Sequence, residues 1–297
     1  MHSLLIMNSK ILRPAAVWSI DPFETNLVPS QSDLDALKDY RIFPVAVLPT
    51  QSKLDFERLN SYLSSFGLKN LEHPTILTIG PSGRTPVEHV VSFAREHHAS
   101  VIALTSHGRS GLEKMFLGSF AERLLDHSPV PVLFLTTGDV NEPASHRAIF
   151  TTDFSPKSKI IFKKFLDFAK HSVGEVVLYH AEQLPIQLLS AYALAGVPIV
   201  MSGSTLEDER PLDENIANHW IREFSTPDLK IRLYPILRHD FSSISMDVLE
   251  ICKKEHISLI GVIAERGSLE QTLFGSVAKG LFRKQAQPVW VYNARAE

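Results

Sequence analysis

Gly108, Gly118 and Ser119 form the pattern G-x9-G-[ST] within SHGRSGLEKMFLGSF, a spacing that suits the holding of phosphate. The first N–H groups of a helix have no intrahelical partner, and glycine on the approach lets phosphate oxygens reach them without meeting a Cβ. Spacing alone is a weak signal, so the flanking elements carry the argument. Gly108 follows the β-rich run VIALT, and Gly118 and Ser119 open a helical pattern. That order puts both at the carboxyl end of a strand, where parallel α/β sheets bind ligands. The bland alternative is a loop-to-helix turn whose glycines merely avoid a Cβ.

The elements that must position this loop are legible. In the first half, strands are expected at Ala15–Ile20, Phe43–Leu48, Thr75–Ile79, Val101–Thr105 and Val130–Leu135. TPVEHVVSFAREHHA has apolar residues at helical spacing after a Thr85-Pro86 start, and Phe120, Leu124 and Leu125 make an apolar stripe that Pro129 ends. The second half repeats this grammar. Strands are expected at Ala148–Thr152, Glu175–His180, Lys230–Pro235, Ile257–Ile263 and Pro288–Tyr292, and helices at Lys157–His171, Ile244–Lys254 and Ser276–Lys284. FLGSFAERLLDHSPVPVLFL (116–135) lies over LFGSVAKGLFRKQAQPVWVY (273–292) without a gap, which marks a duplicated unit. The segment TGDVNEPASH separates the copies, giving domains 1–138 and 147–297 with a linker at 139–146.

A length of 297 residues suits two such domains, and 44% hydrophobic with 21% charged residues is a globular composition. A net charge of −3 gives no electrostatic reason to bind a nucleic-acid backbone. Cys252 is the single cysteine, so no disulfide or cysteine-based metal site forms within one chain. The apolar run in MHSLLIMNSK is shorter than a signal-peptide core, so cytoplasm is expected. Leu184–Met201 is apolar but interrupted by Pro185, Gln187, Gly196 and Pro198; it reads as packing between elements, or as a lid over an apolar ligand, and stable membrane insertion is not expected.

TSHGRSGLEKMFLGSFAERLLDHSPVPVLFL resembles the signature phrase of the universal stress protein family, G-x2-G-x9-G-[ST] after the fourth strand, with Thr105 in place of its first glycine. SIDPF (Asp21) and TTDFS (Asp153) resemble the family's Asp at the end of the first strand. The resemblance covers both halves and implies a tandem member. It implies two doubly wound five-stranded parallel sheets of order 3-2-1-4-5, an adenine nucleotide alpha hydrolase-like fold. It further implies ATP, ADP or AMP, with magnesium where the phosphates need a bridge. Asp21 would contact adenine, Thr105, His107 and Gly108 would line the ribose and phosphates, Arg109 would add charge, and Gly118, Ser119 and Phe120 would donate to phosphate. The family's fifth strands commonly pair, which implies an internal pseudo-dimer of the two halves and makes a homodimer of whole chains an expectation.

The residues also support plainer readings. Asp21 and Asp153 suit capping of the segments that follow them. His107 has no Ser or Asp beside it in a triad arrangement, so no catalytic residue is assigned. His89, His97 and His98 share a helix but lack metal-ligand spacing. In the second half, counting back from Gly275 sets Glu265 where Gly108 stands, with Val262 and Ala264 matching Thr105 and His107. A carboxylate there repels a triphosphate, so nucleotide is expected in the first half only. The function expected is a stress-response regulator acting through conformation or association; the alternatives are a nucleotide-free scaffold for a protein or apolar small molecule, and a slow ATPase.

Overall fold

The strands form where β-branched and aromatic residues run together, and AAVWSI in the first of them is buried from end to end. In the computed structural model, the residues described are 13–20, 29–49, 56–79, 83–105, 119–136, 146–183, 210–234, 237–239, 244–264, 280–281 and 287–294. In chain order the first half holds β1 (Ala15–Ile20), α1 (Gln31–Leu37), β2 (Arg41–Pro49), α2 (Phe56–Ser64), β3 (Thr75–Ile79), α3 (Pro86–Glu96), β4 (Ala99–Thr105), α4 (Ser119–His127) and β5 (Val132–Leu135). The second holds β6 (Arg147–Thr151), α5 (Pro156–Ala169), β7 (Glu175–Tyr179), β8 (Ala181–Gln183), α6 (Arg210–Phe224), β9 (Lys230–Leu233), β10 (Leu237–His239), α7 (Ile244–Lys254), β11 (Leu259–Ala264) and β12 (Val289–Asn293).

Helix starts follow their caps. Ser30 and Asp33 form a reciprocal capping box on α1, Thr85 and Glu88 form another on α3 with Pro86 behind the cap, and Ser155 caps α5 ahead of Pro156.

The strand order is β3-β2-β1-β4-β5-β12-β11-β6-β7-β9. Each half therefore has the expected order 3-2-1-4-5, with every pairing inside a half parallel. The two five-stranded sets are one continuous sheet, because β5 and β12 pair antiparallel through Val132↔Val291, Leu133↔Trp290 and Phe134↔Val289. A fifth strand has one edge of unpaired N–H and C=O groups, and here each satisfies the other's. In the second half, β8 and β10 pair in a separate two-stranded parallel sheet. They follow β7 and β9 closely, past a break at His180, whose Nδ1 lies 2.8 Å from the Thr152 carbonyl.

The helices cover both faces. α1, α2, α5 and α6 contribute Leu37, Leu59, Phe162 and Trp220 to one apolar layer, and α3, α4 and α7 contribute Val90, Leu124 and Val248 to the other. Both layers draw on both halves. On the first face Tyr40 meets Phe168 of α5 at 5.5 Å between ring centroids; near the second, Asn293 Nδ2 donates to the Leu125 carbonyl at 3.0 Å.

One close approach depends on glycine. A Cβ built on Gly261 in β11 meets Phe165 Cε2 at 2.6 Å and Phe150 Cδ2 at 2.8 Å, and both rings are buried in the core. Gly261→Ala is expected to destabilise the fold by about 1–3 kcal/mol through overpacking. Urea unfolding checks it, and adding Phe165→Leu should return part of the loss. Equal stability of Gly261→Ala and wild type would contradict the packing.

Candidate functional site

The carboxyl ends of β1 and β4 are the place where sheets of this strand order take ligands. β1 passes its chain to β2 on one side, while β4 lies on its other side and passes its chain to β5. The crevice between their carboxyl ends is thus a topological switch point. Ser19 pairs with Leu104 in register, so the chain leaves β1 at Ile20 and β4 at Thr105 side by side. Asp21, His107, Gly108, Arg109 and Gly118 lie outside the described residues. Thr105, Ser119 and Phe120 lie within them. Ser119 is exposed at the first position of α4, and Phe120 is half-buried, packed on the layer that contains α3 and α4. The first N–H groups of a helix have no intrahelical partner and favour an anion, whereas Glu122 in the same turn opposes one electrostatically.

Thr105 carries a contact that its sequence position does not announce. Its Oγ1 accepts from the indole Nε1–H of Trp18 at 3.2 Å, and Trp18 is fully buried on β1. Trp18 sits opposite Ala103, two residues before Thr105 and on the same face of the sheet.

Asp33 is a second feature missed in the strand-and-loop reading. Its carboxylate accepts from Ser30 N at 2.8 Å, Ser30 Oγ at 2.6 Å, Thr136 N at 3.1 Å and Thr136 Oγ1 at 2.9 Å. Thr136 directly follows β5, so the start of α1 is tied to that strand's carboxyl end. Burial pushes the Asp33 pKa up to about 6, against the opposing pull of these donors. The S-x-x-D spacing of Ser30 and Asp33 ahead of an apolar run was the signal available for it.

In the second half, Asp153 takes the place of Asp21. Its exposed carboxylate accepts from Ser155 N at 2.9 Å and from the Ser158 hydroxyl, so it braces the cap, which is Ser155 itself. These hydrogen bonds hold its pKa below the usual value, although partial burial is the largest single influence and acts upward.

The sheet register corrects the internal alignment of the two loops. Ile102 pairs with Val132 and Ile260 with Val289, so β4 matches β11 with one more residue of offset than β5 matches β12. Ile263, not Val262, is therefore the counterpart of Thr105. Carried along the chain, the same offset sets Glu265 at the place of His107 and Arg266 at that of Gly108. Counting back from Gly275 missed this because the second loop is one residue shorter. Glu265, Arg266, Gly275, Ser276 and the segment Leu184–Met201 lie outside the described residues. Of the helical histidines, His97 packs tilted against Phe93 and Phe43 with ring centroids 4.1 and 4.5 Å away, while His98 takes a left-handed φ of 50° at the helix end.

Residues 73–135 match the universal stress protein family model. A universal stress protein from Methanocaldococcus jannaschii is 40% identical over 48 residues, which are 16% of this chain and 28% of that protein. The chain thus spans under a third of that relative's length. Among solved structures, a protein of unknown function from Pseudomonas aeruginosa PAO1 aligns over 95% of this chain and 94% of its own, with TM-score 0.56 and 13% identity. A universal stress protein from Archaeoglobus fulgidus aligns over 94% and 96%, with TM-score 0.54 and 19% identity. At these identities the shared property is the fold.

The raised pKa of Asp33 has a defined sign in stability. The folded state holds its proton more tightly than the unfolded chain, so its contribution is complete below about pH 4 and is lost as pH rises through about 6. Asp33→Asn removes this titration and costs about 1–3 kcal/mol at acid pH through mismatched donors. Urea midpoints from pH 4.5 to 7.5 should therefore show the gap between wild type and Asp33→Asn narrowing as pH rises. A constant gap would contradict the assignment.

Proposed function

Because residues 73–135 match the universal stress protein family model and the fold is shared with a universal stress protein of known structure, we propose that the first half of this chain binds ATP or ADP across the carboxyl ends of β1 and β4. The observation that carries this reading is the coincidence of two independent features. The G-x9-G-[ST] loop follows β4, and β4 borders the switch point of a sheet whose order is 3-2-1-4-5.

Each residue has a role under this reading. Asp21, leaving β1, accepts from the adenine or ribose. His107 and Arg109 donate to phosphate or ribose oxygens. Gly108 and Gly118 keep Cβ atoms out of the path to backbone N–H groups, and Ser119 adds a hydroxyl and the N-terminus of α4. Magnesium bound with the phosphates would offset the negative charge of Glu122. Nothing in this set is a nucleophile with an adjacent base, so the bound nucleotide acts through conformation or association rather than turnover.

The second half is proposed not to bind nucleotide in this way. A carboxylate at Glu265 and a Cβ at Arg266 stand at the places of His107 and Gly108, which removes the donor and the clearance together.

Mass spectrometry of small molecules released from the purified protein should detect adenine nucleotide, and ATP should raise the melting temperature. Gly118→Val should abolish that shift and Gly275→Val should leave it intact. Equal loss from both would refute the asymmetry between the halves. A protein with no nucleotide and no shift is instead a nucleotide-free scaffold, and stoichiometric ADP formed from added ATP would mark a slow ATPase.

A further inference from the structure

The hydrogen bond from Trp18 Nε1–H to Thr105 Oγ1, 3.2 Å long, has no counterpart in the second half. By register, Trp18 faces Ala103 as Phe150 faces Gly261, and Thr105 faces Leu135 as Ile263 faces Tyr292. The donor is replaced by phenylalanine and the acceptor by isoleucine, so both members change together. The second half keeps the same strand order without the bond, so the fold does not require it. What the first half has in addition is the glycine loop that begins directly after Thr105.

A β-branched side chain at the end of β4 has few staggered positions for its hydroxyl and methyl. Accepting from a buried indole ties Oγ1 to one of them, on the face of the sheet where Trp18 lies. A buried indole N–H without a partner costs about 1–3 kcal/mol, which is the force that holds the rotamer. The hydroxyl keeps its own proton to donate.

We infer that Trp18 is a positioning residue for the nucleotide site: it holds the Thr105 side chain against the sheet, so that threonine can stand where the loop begins without entering the ligand's space. The inference rests on the proposed nucleotide site, since the rotamer matters to function only if a ligand lies beside it. It also gives the Thr105 hydroxyl a defined direction.

Isothermal titration with ATP tests the role, using Trp18→Phe to remove the donor and Thr105→Gly to remove the side chain. Trp18→Phe should weaken ATP binding by about fivefold to tenfold. Whatever the affinity of Thr105→Gly itself, adding Trp18→Phe in the Thr105→Gly background should change affinity no further, because no side chain is left for the indole to hold. A purely structural bond would lower the melting temperature of Trp18→Phe and leave affinity unchanged, which overturns the inference; so does a loss of affinity that persists in the Thr105→Gly background.

A ligand-free measurement reads the bond itself. The Trp18 indole N–H resonance should move on Thr105→Val, and an unmoved resonance overturns the inference at its first step. Failure of the wild-type protein to bind ATP sinks the site and this role together, whereas binding indifferent to Trp18→Phe sinks the role alone.

Discussion

The antiparallel pairing of β5 with β12 makes one molecule of two repeated units. Leu133 pairs with Trp290, while Val132 and Phe134 pair with Val291 and Val289, so a pseudo-twofold axis passes between Leu133 and Trp290. These two are equivalent residues of the two copies. The row they centre runs Trp18, Ala103, Leu133, Trp290, Gly261, Phe150 across six strands. The small residues Ala103 and Gly261 flank the central Leu133–Trp290 pair, with Trp18 and Phe150 outside them. Where the first half has Leu133 beside Ala103, the second has the larger Trp290 beside the smaller Gly261. Phe165 stands over Trp290 with ring centroids 5.3 Å apart and also fills the space above Gly261. The seam between halves is thus part of a continuous core, drawing on helices from both.

This seam constrains association. The edge of a fifth strand offers one row of hydrogen-bonding groups, and both such rows are used within the chain. Among the described residues the main sheet ends at β3 and β9. They differ in chemistry: β9 presents Lys230 and Arg232, with Arg232 paired to Glu175 and Glu255, whereas β3 reads TILTI. Charged edges discourage strand addition, so β9 is poorly suited to extend the sheet. The proposed nucleotide site lies at the strand ends between β1 and β4, away from these edges, so under that proposal a nucleotide and strand pairing would not compete for the same backbone groups.

Much of the fold was legible in the sequence because burial on both faces leaves continuous β-rich runs, and AAVWSI, TILTI and helix 244–254 fall where periodicity put them. The edges of elements shifted by a residue or two, as caps and frayed ends dictate. α1, α2, α6 and the short pair β8 and β10 were not foreseen: helices of seven and nine residues show few apolar repeats, a helix opening with Arg210-Pro211 has only a modest apolar stripe, and strands of three residues are too short to show alternation. The loop motif was legible as a pattern of glycines, but its partners were not. Trp18 reads as one more core residue of β1, and only three-dimensional register brings its indole to Thr105. The register likewise exposed the single-residue difference between the loops, which an alignment anchored on Gly118 and Gly275 hides.

Two copies in one chain separate what the fold needs from what it merely carries. His98 and His256 both close the helix before the fourth strand with φ of 50° and 52°. Two residues on, Ser100 and Ser258 donate to the carbonyls of Ala15 and Arg147 at 3.1 and 3.0 Å. Both pairs are related by the same offset that relates β4 to β11, so this turn and its bond to the first strand belong to the unit. The Trp18–Thr105 bond and the tie from Asp33 to Thr136 occur in the first copy, where the second has Phe150 and Ile263, and Ser158 and Asn293. A polar pair that the sheet can replace with apolar residues is not there to form the sheet. Its position towards the carboxyl ends of β1 and β4, and its confinement to the copy with the glycine loop, are the two facts from which the proposed site is extended beyond the loop to the strand end.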